Sequence, residues 1–276
     1  MYSLNKEDID KYKSVAKNIR EEVLGIIYGT KSPHIGCCFS MTDILVALYF
    51  KILSVDSKKP DDPNRDRLVL SKGHAAPVLY AVLKEKGFID EKTFNGIAQS
   101  PGTLEVHPTR DIARGIEITS GSLGHGLSVA AGMAFAGKYD NAKYRIFTLL
   151  GDGELNEGSN WEAIMFASHH KLDNMVAIID CNGLQVFGKN SEIMNIEPLV
   201  EKWKSFGWSV KKINGHNFEE IIDSLSNIPF EKDKPSCIIA ETIHGKGVSF
   251  MEDNHVWHDK YPNEEEYKSA LEELKK

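Results

Sequence analysis

Two apolar runs that end in oxygen-bearing residues constrain the fold of this chain most strongly. Residues 144–150 lead into a Gly-Asp-Gly-Glu motif at 151–154, and residues 175–180 lead into Cys-Asn-Gly-Leu at 181–184. Continuous apolar runs of this length are typical of strands buried on both faces. The two motifs therefore place the Asp152 carboxylate and the Asn182 carboxamide at the ends of two buried strands.

The rest of the chain alternates in the same way. Apolar periodicity and capping residues predict helices and strands in turn. The predicted strands are 67–70, 145–150, 175–180, 208–213 and 236–242, and the predicted helices are 7–28, 41–53, 124–138, 158–170, 197–206 and 217–225. Residues 30–40 are expected to form a histidine-bearing loop, and residues 98–122 an irregular segment. This alternation predicts an α/β fold, a parallel sheet covered by helices on both faces.

We expect residues 1–276 to form a single diphosphate-binding domain, with a charged tail at 263–276. In parallel sheets of this kind, ligands bind beyond the carboxyl ends of the strands. Four polar segments follow predicted strands and are expected to meet in one site: Ser71–His74, Gly151–Glu154, Asn182–Leu184 and Ile243–Gly247.

The oxygen ligands at these strand ends suit magnesium. Mg²⁺ takes six oxygens near octahedral geometry and draws several of them from phosphate and water. One carboxylate, one amide oxygen and one main-chain carbonyl would leave room for two phosphate oxygens and a water. Alone, Asp152-Gly153 is also ordinary turn chemistry, and the second motif at Asn182 is what favours a metal–diphosphate site.

Composition excludes several other classes of function. The chain has 276 residues, of which 41% are hydrophobic and 26% charged, and its net charge is −7. Such a charge argues against a nucleic-acid or anionic-membrane surface. No apolar stretch approaches the length of a membrane span, and the N-terminus does not resemble a signal peptide. The four cysteines do not form a C-x-x-C pair, so we expect reduced thiols and a cytoplasmic location.

Histidines and a glycine-rich segment accompany these motifs. The segment at 121–126 reads Gly-Ser-Leu-Gly-His-Gly, whose glycines can free main-chain groups for a planar heterocycle. Histidine both donates and accepts near neutral pH, which suits proton transfer around a sugar hydroxyl or carbonyl. His34, His107 and His258 are candidates for this role. His169, His170 and His216 are expected to face solvent, and the roles of His125, His244 and His255 are open.

Over residues 10–262, these strings resemble the diphosphate-binding domain of transketolase. The marks that carry the resemblance are Ser71-Lys72-Gly73-His74, Gly121-Ser122-Leu123-Gly124-His125-Gly126, Gly151-Asp152-Gly153-Glu154 and Asp180-Cys181-Asn182-Gly183-Leu184. The Gly-Asp-Gly…Asn pattern is shared by thiamine-diphosphate enzymes in general, and the other strings narrow it to the transketolase branch. The resemblance implies a thiamine-diphosphate-binding fold of the PP-domain type, with thiamine diphosphate and Mg²⁺ as cofactors (Ca²⁺ or Mn²⁺ could substitute).

The resemblance also implies roles for individual residues. Asp152, Asn182 and the Leu184 carbonyl should hold the metal. His34, His107 and His258 should assist proton transfer at the substrate, with His258 also near the cofactor. The remaining residues expected at the cofactor are His74, Gly121, Ser122, Leu123, Gly153 and Glu157. Among them, Glu157 matches a family glutamate at the subunit interface.

The chain matches only the first domain of full-length transketolases. The resemblance therefore implies the N-terminal subunit of a split transketolase, partnered by a C-terminal subunit that carries the pyrimidine-binding domain, in an α2β2 heterotetramer. The implied reaction transfers a two-carbon ketol unit from a ketose, phosphorylated or sulfonated, to an aldose. Alternatives are a subunit of a deoxyxylulose-phosphate synthase-like enzyme or of a 2-oxoacid dehydrogenase, or a non-catalytic cofactor-binding subunit.

Overall fold

The computed structural model describes residues 5–97 and 104–276. One five-stranded sheet has the order β1-β2-β3-β7-β6, and all of its strand pairs are parallel. The strands of this sheet are β1 (Arg67–Leu70), β2 (Ile146–Gly151), β3 (Met175–Cys181), β6 (Ser209–Asn214) and β7 (Ser236–Glu241). A small antiparallel hairpin, β4 (Leu184–Gln185) and β5 (Gly188–Lys189), follows β3.

Helices cover both faces of the sheet, as predicted. They are α1 (Lys6–Thr30), α2 (Ile35–Ser40), α3 (Thr42–Ala47), α4 (Ala76–Glu85), α5 (Glu91–Asn95), α6 (Gly126–Tyr139), α7 (Gly158–His169), α8 (Asn190–Ile193), α9 (Leu199–Ser205), α10 (Phe218–Ser226) and α11 (Glu264–Lys275). Alternate residues of β3 divide between the two cores. Val176 and Ile178 pack with the core that contains α1 to α4, whereas Ala177 and Ile179 pack with α6, α7 and α9.

The segments at 30–40 and 41–53 differ from the sequence prediction. The expected loop at 30–40 contains the buried helix α2, and the helix expected over 41–53 divides into α3 and a π-helical turn, Leu48–Ile52. Of the irregular segment predicted at 98–122, residues 98–103 lie outside the described residues, and the remainder includes a short 3-10 turn, Ile112–Arg114.

The charged segment at 263–276 is an ordered helix, α11, that packs on α1. Asn263 and Glu266 form a reciprocal capping box at its start. Ala270 and Leu274 are buried on its inner side. Within residues 5–97 and 104–276, no helix has the length and apolarity that crossing a membrane requires.

Candidate active site at the carboxyl edge of the sheet

The four predicted polar segments follow strands whose carboxyl ends are aligned. In the sheet register, Gly151 lies opposite Asp180, which in turn lies opposite Ala240, and Leu70 lies opposite Leu149. The segments that follow β1, β2, β3 and β7 therefore leave the sheet at one edge. Of these, the first three contribute residues to a single cavity, which His258 from a later turn also lines.

Asp152 lies at the base of this cavity. Its Oδ1 accepts from the Gly153 amide at 2.8 Å, and its Oδ2 accepts from the Gly183 amide at 2.6 Å. The side chain is almost fully buried, and this burial raises the pKa of Asp152 to about 6. The two amides orient the carboxylate, while its burial favours a nearby cation.

Asn182 and Leu184 bring neutral oxygens to the same cavity. The Asn182 Oδ1 accepts from the Leu184 amide at 3.0 Å, which holds the carboxamide against the start of the β4–β5 hairpin. Gly183 between them has φ of 76°, a left-handed conformation that favours glycine. In the described part of the chain, no cluster of three or more His, Cys, Asp or Glu side chains is suited to a metal. A metal here would be held by one carboxylate and neutral oxygens, which fits Mg²⁺.

Three of the four histidines predicted at the site meet beside this cavity. The ring centroids of His34 and His74 are 5.0 Å apart, those of His34 and His258 are 5.4 Å apart, and those of His74 and His258 are 5.7 Å apart. The His34 amide also donates to the His258 carbonyl at 3.0 Å. The topology thus joins segments that lie at opposite ends of the chain.

The environment of His34 and His258 favours the neutral form of both rings. Burial lowers the pKa of His258 to about 4 and lowers the pKa of His34 below its ordinary value. The Nδ1 atoms of both rings are buried and lack a hydrogen-bond partner in the described structure. Neutral imidazoles with an unused ring nitrogen are able to take or give a proton at a bound molecule.

His107 approaches the site from the glycine-rich segment. A Cβ placed on Gly121, which has φ of 157°, would lie 3.2 Å from the His107 ring. The His107 side chain is mostly exposed. The pKa of His107 is lowered, first by the burial of part of its ring and second by the nearby His74. A Cβ on Gly73 would lie 2.8 Å from the Gly121 amide nitrogen. The segment that follows β1 therefore packs backbone to backbone against the glycine-rich segment that begins at Gly121.

The other predicted cofactor residues occupy different positions around the cavity. Leu123 lines it, whereas Ser122 is exposed. Gly153 also lines it, although its amide donates to Asp152 in this structure. Glu157 is exposed and packs against Gly124, where a Cβ would lie 2.6 Å from the Glu157 Cβ.

A buried ion pair at the cavity, which Lys72 lines, was not predicted. The Lys72 Nζ lies 2.5 Å from the Asp180 Oδ2, and both side chains are buried. Ser40 and Thr242 donate to the same carboxylate at 2.6 and 2.5 Å. Burial alone would lower the pKa of Lys72, but the nearby negative charges, with Asp180 the strongest, and the hydrogen bond to Asp180 together outweigh it and raise that pKa. Lys72 is therefore a charged partner of Asp180.

Glu154 is a second residue that sequence reasoning did not identify. Its carboxylate is buried and accepts from three segments of the site. Oε1 accepts from the Ser71 hydroxyl and from the Gly124 amide at 2.9 Å, and Oε2 accepts from the Gly151 amide at 3.2 Å. One side chain therefore ties the segments after β1 and β2 to the glycine-rich segment.

His216 does not face solvent as expected. Its Nδ1 lies 2.7 Å from the Asp43 Oδ2, and its Nε2 accepts from the Ile243 amide at 2.8 Å. The Asp43 carboxylate also accepts from Arg20. Because polar groups on two sides satisfy the ring, His216 anchors the segment after β7.

Comparison with known proteins decides the family. Residues 11–274 match the family described as transketolase, thiamine diphosphate binding domain. The chain belongs to this family. It is 44% identical over 255 residues to one of the subunits of apulose-4-phosphate transketolase from Phocaeicola vulgatus, covering 92% of this chain and 90% of that protein. It is 43% identical to the 6-deoxy-6-sulfo-D-fructose transketolase subunit SqwG of Clostridium sp., covering 88% of each.

Solved structures agree with this assignment. The crystal structure of transketolase from Campylobacter jejuni has a TM-score of 0.87 to this chain at 30% identity. The match covers 99% of this chain but 43% of that protein. The chain therefore spans about two-fifths of a full-length transketolase and nearly the whole of the two subunits.

Proposed function

We propose that this chain is the thiamine-diphosphate-binding subunit of a two-chain transketolase. The observation that carries the proposal is the meeting of Asp152, Asn182, His34, His74 and His258 at one edge of the sheet, in a chain similar to named transketolase subunits over most of their length. We further propose that residues 1–276 act as one domain in the cytoplasm.

The residues present fit a metal-bound diphosphate. Asp152, Asn182 and the Leu184 carbonyl would hold Mg²⁺, for which Ca²⁺ or Mn²⁺ could substitute. The raised pKa of the buried Asp152 supports this role, because a divalent cation would compensate its charge. His74 and the Gly153 amide would contact the diphosphate. Gly121, Ser122, Leu123 and Glu157 would surround the rest of the cofactor.

When bound, thiamine diphosphate supplies the carbanion that accepts a two-carbon ketol unit. The chain itself would orient the substrate and handle protons. His34, His107 and His258 would face the substrate hydroxyls as neutral imidazoles, which can accept a proton at Nδ1 or Nε2 and return it. The position of His258 on the cavity, with the His34 ring centroid 5.4 Å from its own, supports this role.

The partner in our proposal is a C-terminal transketolase subunit that carries the pyrimidine-binding domain. The names of the two relatives as subunits support a second chain. We propose an α2β2 heterotetramer. Exposed apolar side chains on α6 and α7 are available for assembly, namely Val129, Phe135, Tyr139, Met165 and Phe166. Glu157, which lies just before α7, would belong to the same interface.

The donor is a ketose with a terminal anion. One relative is named for apulose 4-phosphate and the other for 6-deoxy-6-sulfo-D-fructose, so phosphorylated and sulfonated ketoses are both proposed substrates. In this proposal, His34, His107 and His258 of this chain would face the reacting end of the sugar. The terminal anion would be recognised mainly by the partner subunit, which would therefore decide between a phosphate and a sulfonate.

Reconstitution tests this proposal. The chain is purified alone and together with the C-terminal transketolase subunit from the same genome, in the presence of thiamine diphosphate and Mg²⁺. Each sample is offered fructose 6-phosphate, apulose 4-phosphate and 6-deoxy-6-sulfo-D-fructose with an aldose acceptor. We expect ketol transfer from the pair and none from the single chain. Robust transfer by the single chain, or release of CO₂ from pyruvate with no transfer by the pair, would refute the proposal.

A further inference from the structure

His244 lies behind the histidine cluster and has no role in the proposed chemistry so far. It follows β7 and is fully buried. Its ring is parallel to that of His258, with an interplanar angle of 3° and centroids 5.7 Å apart. The two rings therefore share one orientation at the edge of the site.

The His244 ring packs directly against Gly36. A Cβ on Gly36 would lie 1.9 Å from the His244 Cε1 and 2.4 Å from both ring nitrogens. Real Cβ atoms do not approach other atoms so closely, so the imidazole occupies the space that any larger residue at 36 would need. The absence of a side chain at 36 is thus a condition for this position of His244.

Main-chain hydrogen bonds fix the surrounding segments. The Gly245 amide donates to the Gly36 carbonyl at 3.0 Å, and the Asp253 amide donates to the His244 carbonyl at 3.0 Å. On the preceding side, the Ile243 amide donates to His216. The backbone of His244 is therefore held from both directions, which leaves its ring little freedom.

Direct contact between His244 and a ligand does not fit this arrangement. His258 lines the cavity, whereas His244 does not. Both ring nitrogens of His244 are buried and have no hydrogen-bond partner in the described structure. An unsatisfied buried nitrogen costs free energy and does not stabilise the fold, so any benefit of the ring comes from its shape and its packing.

We propose that His244, whose ring packs against Gly36, is a positioning residue. It holds the ring of His258 in the orientation required for proton transfer. This inference rests on the proposed function, because it assigns His258 to that transfer. The rings of His34 and His74 also lie near His258, and His74 lines the cavity whereas His244 does not. His244 therefore limits movement of the His258 ring at a position outside the cavity lining. Small displacements of a catalytic group lower rates steeply.

A double-mutant cycle in the two-chain complex tests this role. We expect His244→Ala to lower kcat by about tenfold with little change in cofactor affinity, because the His258 ring gains freedom. In the His258→Ala background, His244→Ala should change kcat by less than about twofold. The same tenfold loss in both backgrounds would mean that His244 does not act through His258, and would overturn the proposal.

Two further variants separate shape from polarity. His244→Phe keeps a planar ring and removes nitrogens that have no partner, so it should restore most of the rate that His244→Ala loses. A rate as low as that of His244→Ala would show that the nitrogens matter and would overturn the packing role. His255→Ala is the matched control, since His255 is an exposed histidine close to His258, and it should leave the rate unchanged.

A readout without turnover separates this inference from the proposed function. In the isolated chain, the ring ¹H and ¹⁵N chemical shifts of His258 should change in His244→Ala and in Gly36→Ala, and stay constant in His255→Ala. Unchanged His258 shifts in His244→Ala would overturn the inference, even if the complex were an active transketolase. Changed shifts in a complex that transfers no ketol unit would support the positioning and count against the proposed reaction.

Discussion

Glu154 provides the sharpest test of how the site is assembled. Its carboxylate accepts from Ser71, Gly124 and Gly151. In Glu154→Gln, one oxygen becomes an NH₂ group. Whichever way the amide turns, the N–H of either Gly124 or Gly151 then faces a donor. Leaving one buried N–H unsatisfied costs about 1–3 kcal/mol, so we expect the segments to separate.

Cofactor binding would have to bring these segments back together. If about 2 kcal/mol of that cost must be overcome when the cofactor binds, the affinity for the cofactor falls roughly 30-fold. Ser71→Ala removes one donor and leaves the carboxylate on both amides, so its effect should be smaller, about fivefold. Glu162→Gln, an exposed change on α7, is the control and should leave the affinity unchanged.

Calorimetric titration of the two-chain complex with thiamine diphosphate at saturating Mg²⁺ measures these affinities. Amide hydrogen exchange reports the Gly124 and Gly151 amides directly, and both should lose protection in Glu154→Gln. An affinity within twofold of the unmodified complex, with the same protection at both amides, would refute the idea that Glu154 assembles the site.

Three other predictions concern charge. Asp152→Ala should abolish binding of the magnesium cofactor, because neutral ligands alone cannot balance the ion; unchanged calorimetric affinity would contradict this. Lys72→Met leaves Asp180 buried without its partner and should lower the free energy of unfolding by about 3–5 kcal/mol in chemical denaturation; a loss below about 1 kcal/mol would contradict it. For His258, whose pKa falls from 6.5 to about 4 on folding, the unfolded state binds the proton first, so the contribution of this ring to the stability of the isolated chain should decrease as pH falls between these values, by up to about 3 kcal/mol. Asp152, whose pKa is raised to about 6, acts in the opposite direction over the same range. Compared with the unmodified chain, His258→Phe should therefore become relatively more stable as pH falls through this range, and an identical pH profile in that variant would assign the dependence to other groups.

The sequence was most informative where function depends on local pattern. Asp152 and Asn182 directly follow apolar strands, so their meeting at one edge could be predicted from strand direction alone. The Asn263 and Glu266 capping box is also a local signal, but the charged composition of the segment concealed the two buried positions of α11. The helix α11 could have been predicted from the three-residue spacing of Asn263 and Glu266.

Features that depend on contacts across the fold were not predictable in this way. Lys72 and Asp180 are 108 positions apart, and only the sheet register makes them a pair. His216 was expected to face solvent because it falls in a helical or turn context, yet Asp43 and Ile243 satisfy its ring. Burial and partner together determine what such a residue does, and neither is written in its local sequence.

The carboxylates of the site differ in how their charge is balanced, and this difference determines what cofactor binding requires. Asp180 is paired with Lys72, and Glu154 accepts three hydrogen bonds. Asp152 accepts from two amides, and its pKa is nevertheless raised, so its charge is incompletely compensated. The neighbouring His34 and His258 are held neutral and cannot balance a diphosphate. The negative charge of both Asp152 and the diphosphate therefore falls to the metal, so thiamine diphosphate should bind this site weakly without a divalent cation.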